Sequence, residues 1–179
     1  RLGWMARERG DSITGRAWLE QSLSIYRELE DQLGIAWTTI TLGEVLNIQG
    51  ELKTARSLIE EGLALARSHH EEQAIGWALC HLGFNALLLG SVDEAENFYS
   101  ESRDLFELLG PHKAGLGWAY LGLGEVSLVR KDHAAAKENL KKAIQYYYGY
   151  KNRSSLTWCL ESLACAVSLD QQYEQAARL

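Results

Sequence analysis

AIGWALCHLGFNALLLG, residues 74–90, is followed at once by SVDEAENFYSESRDLFELLG, residues 91–110. The first stretch carries no Asp, Glu, Lys or Arg and reads as a helix apolar nearly all round, which in a soluble protein is a helix sandwiched between others. With His81 and Asn85 inside it, it is too short and too polar for a membrane span, which takes about 20 apolar residues. The second stretch is charged along one face. This two-part unit recurs. Trp37, Trp77, Trp118 and Trp158 stand at an almost constant interval, lengthened by a single position between the second and third. Six residues after each comes Gly43, Gly83, Gly124 or Ala164, and eighteen after comes Ala55, Ala95, Ala136 or Ala176. Three markers kept in register over four copies identify a helical-repeat protein.

Within each unit an apolar helix, here helix A, is followed by a charged one, helix B. The units fall at about 1–32, 33–72, 73–112, 113–153 and 154–179, the first and last incomplete. The first unit reads as the end of a helix A, a turn at Gly10-Asp11 with Asp11 as cap, and then helix B. Helices A and B of the second unit run from about 35 to 48 and 52 to 68. Those of the third run from about 73 to 89 and 92 to 109, with Ser91-Val92-Asp93-Glu94 as a capping box. The fourth has helix A from about 113 to 129 and an Asp132-capped helix B to about 148. The fifth has helix A near 154–169 and only the first turns of helix B. Leu2-Gly3 matches Leu42-Gly43, and Ala176 falls early in a helix B. The ends therefore interrupt repeats, as in a piece of a longer array whose terminal helices expose apolar faces and self-associate. Gly43, Gly83 and Gly124 sit mid-helix, where glycine costs roughly 1 kcal/mol relative to alanine. A cost repeated in register predicts a close helix–helix contact with the matching alanines of helix B.

Leu-Gly in helix A, a Gly-acid turn and an Ala in helix B recur as Leu42-Gly43, Gly50-Glu51 and Ala55. Leu82-Gly83, Gly90-Ser91 and Ala95 follow, then Leu123-Gly124, Lys131-Asp132 and Ala136. This pattern resembles the tetratricopeptide repeat family across the whole chain. The period of about 40 exceeds that family's usual length of about 34 residues. The tryptophan also stands two positions off the family's place for it, and the final proline is missing. The longer unit is similar to the long-repeat arrays of bacterial LuxR-type and maltose-activator-like regulators and signalling ATPases, and of animal Leu-Gly-Asn-type adaptors. The resemblance implies an all-α fold, a right-handed superhelical solenoid of antiparallel helix pairs, with ligands bound on the concave face formed by the A helices.

On a helical wheel Leu42, Gly43 and Leu46 face helix B. Trp37 lies roughly opposite, with Ile40, Glu44, Asn47 and Ile48 around it. By the resemblance that opposite face is the concave one, which implies as binding residues Trp37, Trp77, Trp118 and Trp158, joined by Phe84, Leu87, Leu121 and Leu128. Such a column is either an aromatic groove for a peptide, helix or flat small molecule, or filling between successive A helices. Glu44 and Glu125 occupy equivalent positions. They either select a basic or hydroxyl-bearing ligand or are solvated groove charges. In Tyr146-Tyr147-Tyr148-Gly149-Tyr150 consecutive rings cannot all face inward, so at least one is exposed to a partner or packed in an inter-repeat loop.

Other chemistries find little support. With 18 basic against 24 acidic residues and a net charge of −6, no cationic stripe is available for nucleic acid. His69-His70 with Glu71-Glu72 lacks the i, i+4 spacing of a helical metal-ligand pair. Gly115, Gly117, Gly122 and Gly124 imitate a phosphate loop without the strand that would precede one, and two of them recur as Gly76 and Gly83. Cys80 and His81 are neighbours and point to different helix faces, which disfavours a thiolate pair. The three cysteines form no C-x-x-C and read as reduced, mostly buried thiols. The sequence thus predicts a cytoplasmic recognition module with no catalytic residues, cofactor, metal, nucleic acid or membrane span. Its expected place is the sensor arm of a regulator or signalling ATPase, the alternative being a scaffold that oligomerises through the same apolar surfaces.

Overall fold

Residues in the left-handed region cut the chain into helices. In the computed structural model they are Gly50 (φ 85°), Gly90 (φ 82°) and Gly110 (φ 103°), with Glu30 (54°), His70 (53°) and Lys131 (63°). The structure describes residues 2–110, 114–149 and 153–176, and side chains over 15–110, 115–149 and 155–168. After four of these, Gly50, Lys131, Glu30 and His70, the next backbone N–H reaches back across the turn. Glu51 donates to the Leu46 carbonyl at 2.9 Å and Asp132 to that of Ser127 at 2.9 Å. Asp31 does the same to Tyr26 at 3.0 Å and Glu71 to Ala66 at 2.9 Å. The motif satisfies carbonyls that a helix end leaves open. Lys131 holds without glycine a geometry that glycine holds elsewhere, which strains a residue bearing a Cβ. Lys131→Gly is therefore expected to stabilise the chain by up to about 1 kcal/mol. The check is a higher urea midpoint at unchanged slope.

The helices among the described residues are α1 (Leu2–Glu28), α2 (Gln32–Gln49), α3 (Leu52–Ser68), α4 (Glu72–Leu89), α5 (Val92–Leu108), α6 (Ala114–Val129), α7 (His133–Gly149) and α8 (Arg153–Ala176). They group into two units, Arg1–Gly90 and Ser91–Leu179. In the first, α1 packs on α2, α2 on α3, α3 on α4, and α2 lies beside α4; in the second, α5 packs on α6, α6 on α7, α7 on α8, and α6 lies beside α8. Each unit is thus a series of antiparallel helices in which A-type helices (α2, α4, α6, α8) alternate with B-type (α1, α3, α5, α7).

The B helices bury one stripe, at the same positions each time. In α3 it is Ala55, Ile59, Gly62 and Ala66; in α5 Ala95, Tyr99, Ser102 and Phe106; in α7 Ala136, Leu140, Ala143 and Tyr147. The glycines explain the close approach. A Cβ at Gly43 of α2 would meet the Ile59 side chain and stand 3.0 Å from the Ala55 carbonyl, and one at Gly124 of α6 would meet Leu140 at 2.7 Å. The close approach read from the sequence is present at these two sites, but its main partner is Ile59 or Leu140, one turn beyond the expected alanine; Ala55 comes within reach of Gly43 through its carbonyl, whereas Gly124 meets Leu140 in place of Ala136. The reverse contact, at Gly62 of α3, lies under Ile40, Thr39 and the Ala36 carbonyl.

Three local expectations are corrected. First, α1 runs straight through Gly10-Asp11, so Asp11 caps no helix there. The flanking residues 6–16 are mostly polar, and a hairpin has little apolar surface to close upon. Second, α8 continues through residues 170–171 to Ala176, where the repeat pattern predicts a new helix. The turn position carries Gln171, which gains by staying helical rather than left-handed. Third, Ser91 does occupy the N-cap of α5, but its side chain makes no capping hydrogen bond. Asp132 caps α7 as expected, accepting from the Ala135 N–H at 3.0 Å, and Asp31 caps α2 through Gly34 at 2.9 Å.

Candidate recognition surface

Residues three, four and seven apart share a helix face, so Trp37, Thr41, Glu44 and Ile48 form one side of α2. The other side, with Thr39, Gly43 and Leu46, is buried. Trp37, Trp77, Trp118 and Trp158 are all half-buried, two in each unit. Their surroundings differ between the units.

In the first unit the Trp77 ring stacks on His81, with centroids 5.9 Å apart and planes at 21°. His81 Nε2 stands 3.7 Å from Glu44 Oε2 across the gap between α4 and α2. Burial pulls the His81 pKa below the ordinary histidine value, against the opposing charge of Glu44. The imidazole is therefore a neutral partner under the indole. Glu44 itself keeps 35% of its side chain exposed, so one carboxylate beside two half-buried tryptophan helices faces solvent. Below it Asn47 donates to the His81 carbonyl at 3.1 Å. Asn85 donates to Asn47 Oδ1 at 2.6 Å and to the Leu52 carbonyl at 2.9 Å. Phe84 and Leu87 of α4 are half-buried.

In the second unit the equivalent carboxylate has turned inward. Glu125 is only 3% exposed and accepts the Trp158 indole N–H at 3.0 Å. Trp118 meets Trp158 edge to face at 5.4 Å. Burial, with the Glu125 charge adding to it, pushes the Cys159 thiol up to about 12. This cluster is better suited to fixing α8 against α6 than to meeting a ligand. Leu128 is half-buried, whereas Leu121 is core. Glu125 and Leu121 are thus corrected from open lining to interior: packing between α6 and α8 covers the carboxylate, and Leu121 falls on the buried side of α6. Ile40 and Asn47, read as neighbours of Trp37, are also buried, the first against α3 and the second against α4.

The signal that could have found these contacts is a separation of one period less two helical turns. It links Glu125 to Trp158; Glu44 and Trp77 stand at the same separation, and there Glu44 approaches His81, one turn on from Trp77. The glycine run of α6 is packing throughout. Gly115 lies under the Phe106 ring, Gly122 under Tyr99 and Gly124 against Leu140. His70 makes a left-handed turn, a role its neighbours did not reveal. Of the tyrosines, Tyr147 is buried, Tyr146 stacks on Tyr120 at 5.9 Å and Tyr148 is 76% exposed; Tyr150 lies outside the described residues. Tyr120 donates its hydroxyl to Glu107 Oε1 at 2.6 Å and lies under Lys142 Nζ at 5.3 Å. Burial and Glu107 hold its pKa above the usual tyrosine range. No described helix is long and apolar enough to cross a membrane.

Antiparallel helix pairs repeating at a near-constant interval, with small residues where the pair members touch, define a helical-repeat array. The chain belongs to the tetratricopeptide repeat family, whose model matches residues 1–68 and 74–149. Arrays of this family are in general non-catalytic modules for protein interaction or scaffolding. Among solved structures, the chain is similar to the crystal structure of BtubC (BKLC) from P. vanneervenii. The TM-score is 0.73 at 17% identity, over 96% of this chain and 71% of that one, a likeness of fold. No curated protein matches the sequence.

Proposed function

We propose that the chain recognises a protein segment on its A-helix faces, and that the first unit holds the principal contact. The observation that carries this reading is the half-burial of Trp37 and Trp77 beside the solvent-facing carboxylate of Glu44. Trp118 and Trp158 are half-buried too, but the carboxylate beside them is closed in, whereas Glu44 stays partly exposed, and this sets the first unit apart. A wet indole face supplies apolar area at low entropic cost, and a nearby carboxylate favours a basic or hydroxyl-bearing side chain in the ligand. The occupant that fits is a peptide or helix presenting a lysine or arginine among apolar residues; a flat hydroxyl-rich small molecule is the second choice.

A randomised peptide library screened against the chain tests this directly. Retained peptides are expected to be enriched in Lys or Arg, and to lose about 10- to 100-fold in affinity on Trp37→Ala or Glu44→Gln. Urea unfolding must accompany the binding. A half-buried tryptophan used for recognition is expected to cost roughly 1–2 kcal/mol on truncation, well short of the ~3–5 kcal/mol of a core aromatic. The full core cost at both Trp37 and Trp77, with no selected peptide, sinks the reading. As the cytoplasmic arm of a bacterial regulator or signalling ATPase, the array would share its polypeptide with a P-loop and a helix-turn-helix. Neighbouring coding sequence lacking both removes that context while leaving the binding surface in place.

A further inference from the structure

The carboxylate of Glu44 has beside it a group whose charge changes near neutral pH. His81 Nε2 stands 3.7 Å from Glu44 Oε2, just past the reach of an N–H···O bond, which ends at about 3.2 Å. Packing sets this spacing. Asn47, one turn on from Glu44, donates to the His81 carbonyl at 3.1 Å and ties α2 to α4 at that level. The imidazole is buried, with the Trp77 indole stacked on it. Helix α4 packs on α2 and α3. Among the described residues the charge that bears on the ring is that of Glu44, from α2; α3 brings none to it, and Glu72, on α4 itself, lies more than two turns away.

Burial keeps the ring uncharged at neutral pH, and the carboxylate faces solvent. A proton on His81 changes both sides of the ring at once. The indole face attracts a cation, and an N–H of the imidazolium makes a charge-assisted bond to the carboxylate after a small rotation of either side chain. Glu44 is then neutralised and drawn toward α4.

We propose that His81 is a proton-operated competitor for Glu44. Neutral, it leaves the carboxylate to a lysine or arginine of the bound segment; protonated, it takes the carboxylate itself and the segment is released. The gate rests on the recognition surface proposed above and supplies its regulation. The two cations exclude one another, because sharing one carboxylate would set like charges side by side. Affinity is therefore constant above the ordinary histidine value of about 6.5 and falls as pH drops through the lowered His81 pKa. The second unit has no such gate. Gly122, under the Tyr99 ring, stands at the place of His81, and Glu125 is held there by the Trp158 N–H, which does not titrate.

The His81 ring signals, followed by NMR against pH, give the first test and need no partner. Their midpoint is expected below about 6.5 in the parent and lower still in Glu44→Gln. A midpoint unmoved by Glu44→Gln, or a ring that stays neutral until the chain unfolds, overturns the proposal. The second test titrates the chain with an amidated leucine–arginine–leucine peptide, one pH unit above and one below the measured midpoint. Beside it runs the same peptide with citrulline, the uncharged isostere of arginine. The arginine peptide is expected to bind about tenfold more weakly at the lower pH, and the citrulline peptide equally at both. His81→Gln is expected to bring the ratio for the arginine peptide close to one. Arginine binding indifferent to pH, or an equal loss for both peptides, overturns the gate and leaves the recognition surface standing. No binding of the arginine peptide at either pH overturns both.

Discussion

Tyr99→Ala is expected to cost about 3–5 kcal/mol, the loss typical of a large core aromatic. Tyr99 is 1% exposed and its ring covers Gly122, where a Cβ would strike it. Removing the ring leaves a glycine facing a void, and a helix cannot easily move in to fill it because the same helix is held at Gly115 by Phe106 and at Gly124 by Leu140. Three fixed points along α6 prevent the relaxation that lowers the cost of other large-to-small changes. The comparison that isolates this effect is Trp18→Ala, a larger truncation on the exposed flank of α1. It is expected to change the stability of the monomer by less than about 0.5 kcal/mol. Urea unfolding of both variants, done dilute enough to exclude self-association, decides it. Equal losses would mean that the lid over Gly122 does not set the packing of α5 on α6.

Asn85→Leu is expected to destabilise by about 2–4 kcal/mol, and the double change with Asn47→Leu by less than the sum of the singles. Both residues are buried between α2 and α4, and Asn85 donates twice, to Asn47 and to the Leu52 carbonyl. Removing one amide leaves the other without its partner in a place water does not reach, and an unmade buried hydrogen bond costs roughly 1–3 kcal/mol. The Asn85 carbonyl oxygen accepts no hydrogen bond among the described residues, so the pair already holds one unsatisfied atom. Replacing both amides by apolar side chains removes the orphans together, and a double-mutant cycle on unfolding free energies measures the coupling. Additive losses would show that the two side chains act independently.

The sequence carried the repeat, and most helix bounds with it, because both are written in short-range terms. A tryptophan once per repeat, a glycine six on and an alanine eighteen on fix which helix is which, and α3 begins and ends where the charge pattern places it. What stayed hidden depends on the neighbour rather than on the helix itself. A helical wheel assigns Glu44 and Glu125 the same face, yet one is partly wet beside His81 and the other closed under Trp158. Whether a turn forms at Gly10 or Gln171 is likewise decided by what two flanking helices gain from folding together, and local propensity speaks only to the turn. Ile40 and Trp37, three residues apart and neighbours on the wheel, part company because Gly62 opens a slot for one of them alone.

The rings laid over glycines bear on how such an array can change over generations. Tyr26 covers Gly34 and Phe106 covers Gly115, and the matching places in the intervening repeat are Ala66 and Ala74, both buried. Volume is kept constant across a pair, and each pair joins helix B of one unit to helix A of the next. A duplication or crossover whose joint falls in the loop between units brings together residues that have never been neighbours. Tyrosine against alanine is too large, and alanine against glycine leaves a hole. The same exchange made inside the A–B turn carries each ring along with its glycine. Inheritance in this array is therefore expected to run in blocks that begin at helix B, out of phase with the unit that the tryptophans mark.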